Sequence, residues 1–158
     1  MILLNPFVLG SGGGGGGIGA HRYWRIVNVT VPASDFLEIA EVQLLTGVTV
    51  VSEGKTYASN PVPDSVGALS LLFDGNLSTR VYWTAAHAED PSFYLSVDLG
   101  SDTAVDGVKQ AGFDNNSRYM DGFTLQYSDD NASWTTAATK SGLTYPGNNT
   151  LSATYSIP

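Results

Sequence analysis

Residues Phe93-Tyr94-Leu95-Ser96-Val97-Asp98-Leu99-Gly100 alternate apolar and polar side chains with a period of two. Successive side chains of a strand point to opposite faces, so such a stretch buries one face and wets the other. Phe123-Thr124-Leu125-Gln126-Tyr127-Ser128 repeats the pattern. Arg22 to Val31 is rich in aromatic and β-branched residues, and Pro32 stops it. Further strands are expected within Asp35 to Leu45, at Val48 to Val51, around Val105 to Gln110 and from Leu151 to Ile157. One short helical turn is expected at Ala68 to Leu72. A long loop is expected after Val51 as far as Asp64, marked as irregular by Pro61 and Pro63, and 112–122 reads as a polar loop. About eight strand candidates separated by turn signals predict an all-β fold, an antiparallel β-sandwich or jelly roll. The scarcity of Lys and Glu beside abundant Thr, Val, Tyr and Ser agrees with this.

The chain of 158 residues divides into two parts: an arm at residues 1–20 and a sandwich at residues 21–158. The arm opens with an apolar head, Met1 to Leu9, followed by Gly10-Ser11 and an unbroken glycine run from Gly12 to Gly17. Two readings stand side by side. The run is a flexible tether, or it is a packed segment in which side-chain-free strands lie against one another at a symmetry axis. In the second reading the arm anchors and oligomerises the protein, with a trimer expected. The net charge of −8 repels phosphate backbones, so nucleic acid is excluded as a partner. No cysteine is present, which excludes disulfides and thiolate metal sites. No apolar run approaches the ~20 residues of a membrane helix, and the N-terminus lacks the basic start and cleavage site of a signal peptide.

Near the middle of the chain stands Phe73-Asp74-Gly75-Asn76-Leu77-Ser78-Thr79-Arg80-Val81-Tyr82-Trp83. Glycine tolerates the positive φ that turns carbonyls inward beside a carboxylate. Clustered carboxylate, hydroxyl and carbonyl oxygens suit a hard cation such as calcium, and the same residue types also serve a metal-free Asx turn. The stretch resembles the Asp-Gly-Asn-x-x-Thr-x-Trp signature of the discoidin, or coagulation factor 5/8 type C, domains. Leu95 to Gly100 resembles that family's Leu-x-Val-Asp-Leu-Gly, and Ser128 to Trp134 resembles its Ser-x-Asp-Gly-x-x-Trp hairpin, with Asn131 where glycine is usual. Arg22-Tyr23-Trp24-Arg25-Ile26 and Ile39-Ala40-Glu41-Val42 resemble its closing motif. That motif ends most members and comes first here, which implies a circularly permuted version.

The resemblance implies a galactose-binding-like sandwich and a structural calcium ion, Ca2+, held by Asp74, Asn76, Thr79 and Glu41. It also implies a lectin-like function, binding a cell-surface glycan. Neutral sugars pack on an aromatic face while Asn, Arg or His bonds their hydroxyls. Galactose-binding relatives place a His just after the signature Trp; here His87 stands a few positions later. His87, Arg118, Asn115 and Asn116 are the expected polar ligands, and Tyr82, Tyr119 and Tyr57 the candidate platforms. Trp83 reads as core, and a solvated loop residue is the plain alternative for His87. The two histidines show no metal-ligand spacing, and no nucleophile elbow is present, so no enzymatic activity is expected. An apolar head followed by glycines resembles the N-termini of bacteriophage structural proteins. A virion protein is therefore expected: a head fibre, decoration or tail component attached to other virion proteins through residues 1–20. The competing reading is a purely structural decoration protein without glycan binding.

Overall fold

A computed structural model describes residues 17–32, 35–65, 67–113 and 117–158. The apolar head and most of the glycine run lie outside the described residues, as do Asn115 and Asn116. The strands are β1 His21–Thr30, β2 Phe36–Thr46, β3 Thr49–Val50, β4 Thr56–Asn60, β5 Val81–Thr84, β6 Tyr94–Thr103, β7 Gly107–Gly112, β8 Gly122–Ser128, β9 Thr135–Lys140 and β10 Tyr155–Ser156. A 3-10 turn spans Leu69–Phe73, and a single α turn, α1, spans Ala85–Ala88. The strands form two sheets. The first runs β4-β6-β1-β8-β9; the second runs β10-β7-β2-β3, with β5 also on β2. Every pairing between these strands is antiparallel. The expected all-β sandwich is therefore present.

The alternation that predicted strands also builds the core. In β1, Trp24 and Ile26 turn inward and are buried, while Tyr23 and Arg25 face out. Leu95, Val97 and Leu99 of β6 and Phe123 and Leu125 of β8 meet them from the neighbouring strands. Each large side chain removed from water contributes roughly 1.5 to 3 kcal/mol. Trp83 is core, as expected: its indole N–H donates to the Pro61 carbonyl at 3.0 Å and its ring packs edge-on against Phe93.

β2 is covered on both faces, and all its residues from Leu37 to Leu45 are buried. Its register shifts between Ile39 and Glu41. Leu37 and Ile39 enter the core before the shift, Val42 and Leu44 after it. One extra residue has reversed the phase of the strand, as a β-bulge does. Without that bulge Glu41 would follow Ile39 into the apolar core.

Three strands fall outside the expected stretches: β5, which closes the Asp74 stretch and pairs with β2, and two edge strands. β4, Thr56-Tyr57-Ala58-Ser59-Asn60, falls in the expected loop and zips onto β6 from Thr56 opposite Asp98 to Asn60 opposite Tyr94. It is an edge strand, held by backbone bonds and by Tyr57. That ring stacks on Phe73 at 4.3 Å and its hydroxyl donates to the Ser52 carbonyl at 2.8 Å. Tyr57 is thus a wall of the core and no sugar platform. β9 is the other edge, made largely of Thr and Ala.

Candidate functional site

The Asp74 turn follows directly from the 3-10 turn, whose Leu72 and Phe73 are buried. That burial fixes where the polar residues behind it emerge. Gly75 takes φ +71, as the Asp-Gly spelling required. Asp74 Oδ1 accepts the Asn76 N–H at 2.8 Å, and Asn76 Oδ1 accepts the Ser78 N–H at 3.0 Å. Two Asx turns in succession thus carry the chain to Thr79. The Thr79 hydroxyl lies 2.8 Å from the Asn76 carbonyl, 3.4 and 3.5 Å from the Asp74 carboxylate oxygens and 3.5 Å from the Leu71 carbonyl. A hydroxyl has one proton. That proton can serve only one of the four acceptor oxygens around it, two neutral carbonyls and the two oxygens of the Asp74 carboxylate, so the cluster is short of donors.

Glu41 faces the same turn. It is 0% exposed, its Oε2 accepts the Gly75 N–H at 3.3 Å, and its Oε1 has no hydrogen-bond partner. Burial pushes its carboxyl up to about 7; the Gly75 N–H and the Gln43 side chain act against that rise, and the charges of Asp74 and Glu53 add to it. Among the described residues no group of three or more His, Asp or Glu side chains is arranged to hold a metal by itself. A cation here needs main-chain oxygens, and the turn presents those of Leu71 and Asn76. Asn76 contributes its carbonyl to this cluster, because its side-chain oxygen is spent on Ser78. With that change the donor set of Asp74, Asn76, Thr79 and Glu41 fits a hard cation.

The second constellation lies on the outer face of the other end of β2. Phe36 and Glu38 alternate with the inward Leu37 and Ile39, and Glu38 stands opposite Tyr82 of β5. Glu38 is buried, yet both oxygens are paired. Arg80 Nη1 lies 2.7 Å from Oε1, and Arg118 Nη1 lies 2.8 Å from Oε2. The backbone of Arg118 is tied to the same strand, its carbonyl accepting the Glu38 N–H at 3.2 Å. Arg118 lies over the Phe36 ring at 4.9 Å and Arg80 over the Phe113 ring at 4.8 Å. Phe36 meets Tyr82 edge-on. Together Phe36, Glu38, Arg80, Tyr82 and Arg118 line an open cleft of about 130 Å³. Two guanidinium groups share one carboxylate, so the cleft carries a net positive charge in a chain of net charge −8.

Of the residues expected to bind ligand, Arg118 and Tyr82 meet in this cleft. His87 stands beside it rather than in it. Its Nδ1 lies 2.8 Å from Asp64, whose carboxylate also accepts the Thr84 N–H at 2.7 Å. The Asp64 N–H in turn donates to the Tyr82 carbonyl at 3.0 Å. Asn115 and Asn116 lie outside the described residues. Tyr119 is a correction. It is buried, its hydroxyl donates to the Leu143 carbonyl at 3.2 Å, and its ring packs on Tyr145, so no face is left for a sugar. Phe36, Glu38 and Arg80 were missed. The usable signal was the phase of β2, which sends Glu38 to the face opposite Leu37 and Ile39.

No curated protein and no solved structure matches the chain significantly. A family model does match, over residues 51–157, from the residue after β3 through β10. It covers the Asp74 turn, β5 with Tyr82, and the loop that carries Arg118, and leaves β1 and β2 outside. On that match, which spans more than half of its length, the chain belongs to the F5/8 type C domain family of galactose-binding-like carbohydrate modules, generally non-catalytic binding domains.

Proposed function

We propose that this chain is a non-enzymatic, lectin-like module that binds a cell-surface glycan in the Arg80–Glu38–Arg118 cleft. The observation that carries the reading is the cleft itself. A buried carboxylate holds two arginines in fixed positions beside Tyr82 and Phe36, and each arginine commits one terminal nitrogen to it. Fixed donors beside aromatic faces are what a sugar site needs. His87, braced by Asp64, borders the cleft and extends it toward α1. The Asp74 turn holds calcium through Asp74, Thr79, Glu41 and the carbonyls of Asn76 and Leu71. The ion acts there as a structural clamp between β2 and the signature loop. Support comes from the excess of acceptors at Thr79 and the unpartnered Glu41 oxygen.

The domain is a circular permutant. Its two first strands precede the stretch that matches the family, and the Ile18 N–H donates to the Pro158 carbonyl at 3.1 Å, so the two ends of the sandwich meet. Residues 1–20 anchor it to a larger particle, in our reading a bacteriophage virion, where it serves as a fibre, decoration or tail component. A glycan array on the full chain tests the central claim. Binding is expected, and Arg118→Ala should weaken it by about 10- to 100-fold, the size of a lost charge-assisted hydrogen bond. Glu38 keeps Arg80 as partner in that variant, so the fold survives the change. A blank array with folded protein replaces this reading with that of a purely structural decoration protein.

A further inference from the structure

The outer face of the first sheet, on the opposite side of the sandwich from the cleft, carries an arginine of unusual standing. Arg22 pairs with Asp98, and Arg80 and Arg118 pair with Glu38. Arg25 has no carboxylate partner among the described residues. Its Nε donates to Gln126 at 2.8 Å, and its guanidinium carbon lies over the Trp134 ring at 4.1 Å from the centroid. Its terminal nitrogens donate to nothing among the described residues. Burial lowers its proton affinity, and only the phenol of Tyr94 acts the other way. Arg25 is partly buried, and its guanidinium is held in place without a carboxylate beside it, which leaves its terminal nitrogens free to meet an anion from outside.

The surroundings are built rather than accidental. The Asp130 carboxylate accepts the N–H groups of Ala132 and Ser133 and the Ser133 hydroxyl, which locks the hairpin just before Trp134. Arg25 stands between Ser96 of β6 and Gln126 of β8, in the middle of the sheet. Two depressions share Arg25 and Tyr94. One, of about 190 Å³, is lined also by Ala58, Ser96, Asn131 and Trp134. The other, of about 270 Å³, continues past Tyr94 toward Asn28 and Gln126. They form one trough across β4, β6, β1 and β8, about 14 Å at the usual strand spacing.

We infer that this trough is a second ligand site, and that its ligand is an acidic glycan whose sugar carboxylate pairs with Arg25 while its ring lies on Tyr94. The Asn131 amide and the Asn28 and Ser96 side-chain oxygens line the trough for the remaining sugar hydroxyls. The Ser96 hydroxyl donates to the Ala58 carbonyl at 3.3 Å, Asn28 Nδ2 donates to the Thr124 hydroxyl at 3.5 Å, and the Gln126 amide is held between Arg25 and Thr136. A peptide fits less well. The trough opens on the face of the sheet and not along the β4 edge, so a peptide lying in it would meet side chains rather than unpaired backbone groups, and the trough has no apolar pocket for a side chain.

The test is an array of uronate- and sialate-bearing glycans, each printed beside its carboxyl-reduced counterpart, together with poly-glutamate. It is run on the full chain and on the Arg118→Ala, Arg25→Gln and Tyr94→Ala variants. The best acidic glycan is expected to bind at least tenfold more tightly than its reduced form. Arg25→Gln and Tyr94→Ala should each weaken it tenfold or more, while Arg118→Ala leaves it unchanged. Thermal melting reports whether each variant is folded. If only one of the two trough variants folds, that one decides. Loss of acidic binding in Arg118→Ala alone would move the acidic site to the cleft and overturn the inference. So would equal binding of poly-glutamate, folded trough variants that bind like the parent, or a blank across the acidic panel.

Discussion

Glu41 shows how a strand defect can make a titratable site. The bulge in β2 turns this carboxyl out of the apolar core and into a closed space beside the Asp74 turn, where one oxygen has no donor. Its carboxyl is raised from 4.5 to about 7 by burial first, with Asp74 and Glu53 adding to the rise. Below pH 4.5 the group is neutral in both folded and unfolded chains and has no effect. As pH rises from 4.5 to about 7 the unfolded chain releases a proton that the folded chain keeps, so stability falls. Above that window the loss is complete. At roughly 1.4 kcal/mol per tenfold change in proton affinity, it amounts to ~3 kcal/mol. Urea denaturation without calcium should therefore give lower stability at pH 8 than at pH 5, and Glu41→Gln should flatten the difference. Saturating calcium should reverse it, raising the melting temperature more at pH 8 than at pH 6, because the cation favours the ionised carboxylate. Parallel curves for parent and variant, with no calcium effect, would remove both the titration and the cation from this site.

Hairpins and edges show what local spelling carries and what it does not. The β8–β9 turn, Asp129-Asp130-Asn131-Ala132-Ser133, puts Asn131 at φ 57, the left-handed region that Asn tolerates and branched residues do not. Asn131→Val should cost about 1 to 2 kcal/mol in chemical denaturation, and Asn131→Gly should be close to neutral. A valine variant as stable as the parent would mean that the turn relaxes out of that region. Such features were legible because the determinants sit side by side: the Asp74 turn, the Trp134 hairpin, and the alternation of β6 and β8. β4 and β9 were not legible, since their few apolar residues leave them defined by the strands they pair with. The cleft was half legible for the same reason. Arg118 and Tyr82 stand out as residue types, but Glu38 joins them only through the register that sets it opposite Tyr82, and Arg80 only through the turn that delivers it. Tyr119 had the right composition around it and the wrong direction, and nothing nearby in sequence reports direction in a loop.

The two sheets are each organised around a strand that comes early in the chain. β1 is the middle strand of the first sheet, and β2 binds β7, β3 and β5 in the second. Both precede the stretch that matches the family, which taken alone would lack the centre of each sheet. The apolar head at residues 1–9 is too short to bury its own side chains, and an exposed apolar patch usually marks an interface. The anchoring role proposed for residues 1–20 is tested by deleting residues 1–16: light scattering should then give a monomeric sandwich, and continued oligomerisation would make the arm a tether only. The proposed permutation can be tested by reversing it. Because Ile18 meets Pro158, the ends can be joined by a short linker without crossing the molecule. New ends can be opened between Gly47 and Val48, in the turn joining β2 to β3, where Val48 is 98% exposed. Such a cut threatens only the short β3 ladder, since β2 keeps its partners β7 and β5. The rearranged chain would start at β3, run through the matched stretch and finish with β1 and β2. It should fold to the same far-ultraviolet spectrum and melt within several degrees of the parent, as expected when no buried contact is lost. An aggregated or molten product would show that β1 and β2 must be joined to the rest through their present connection, and the chain order would then be part of the fold rather than a relabelling of it.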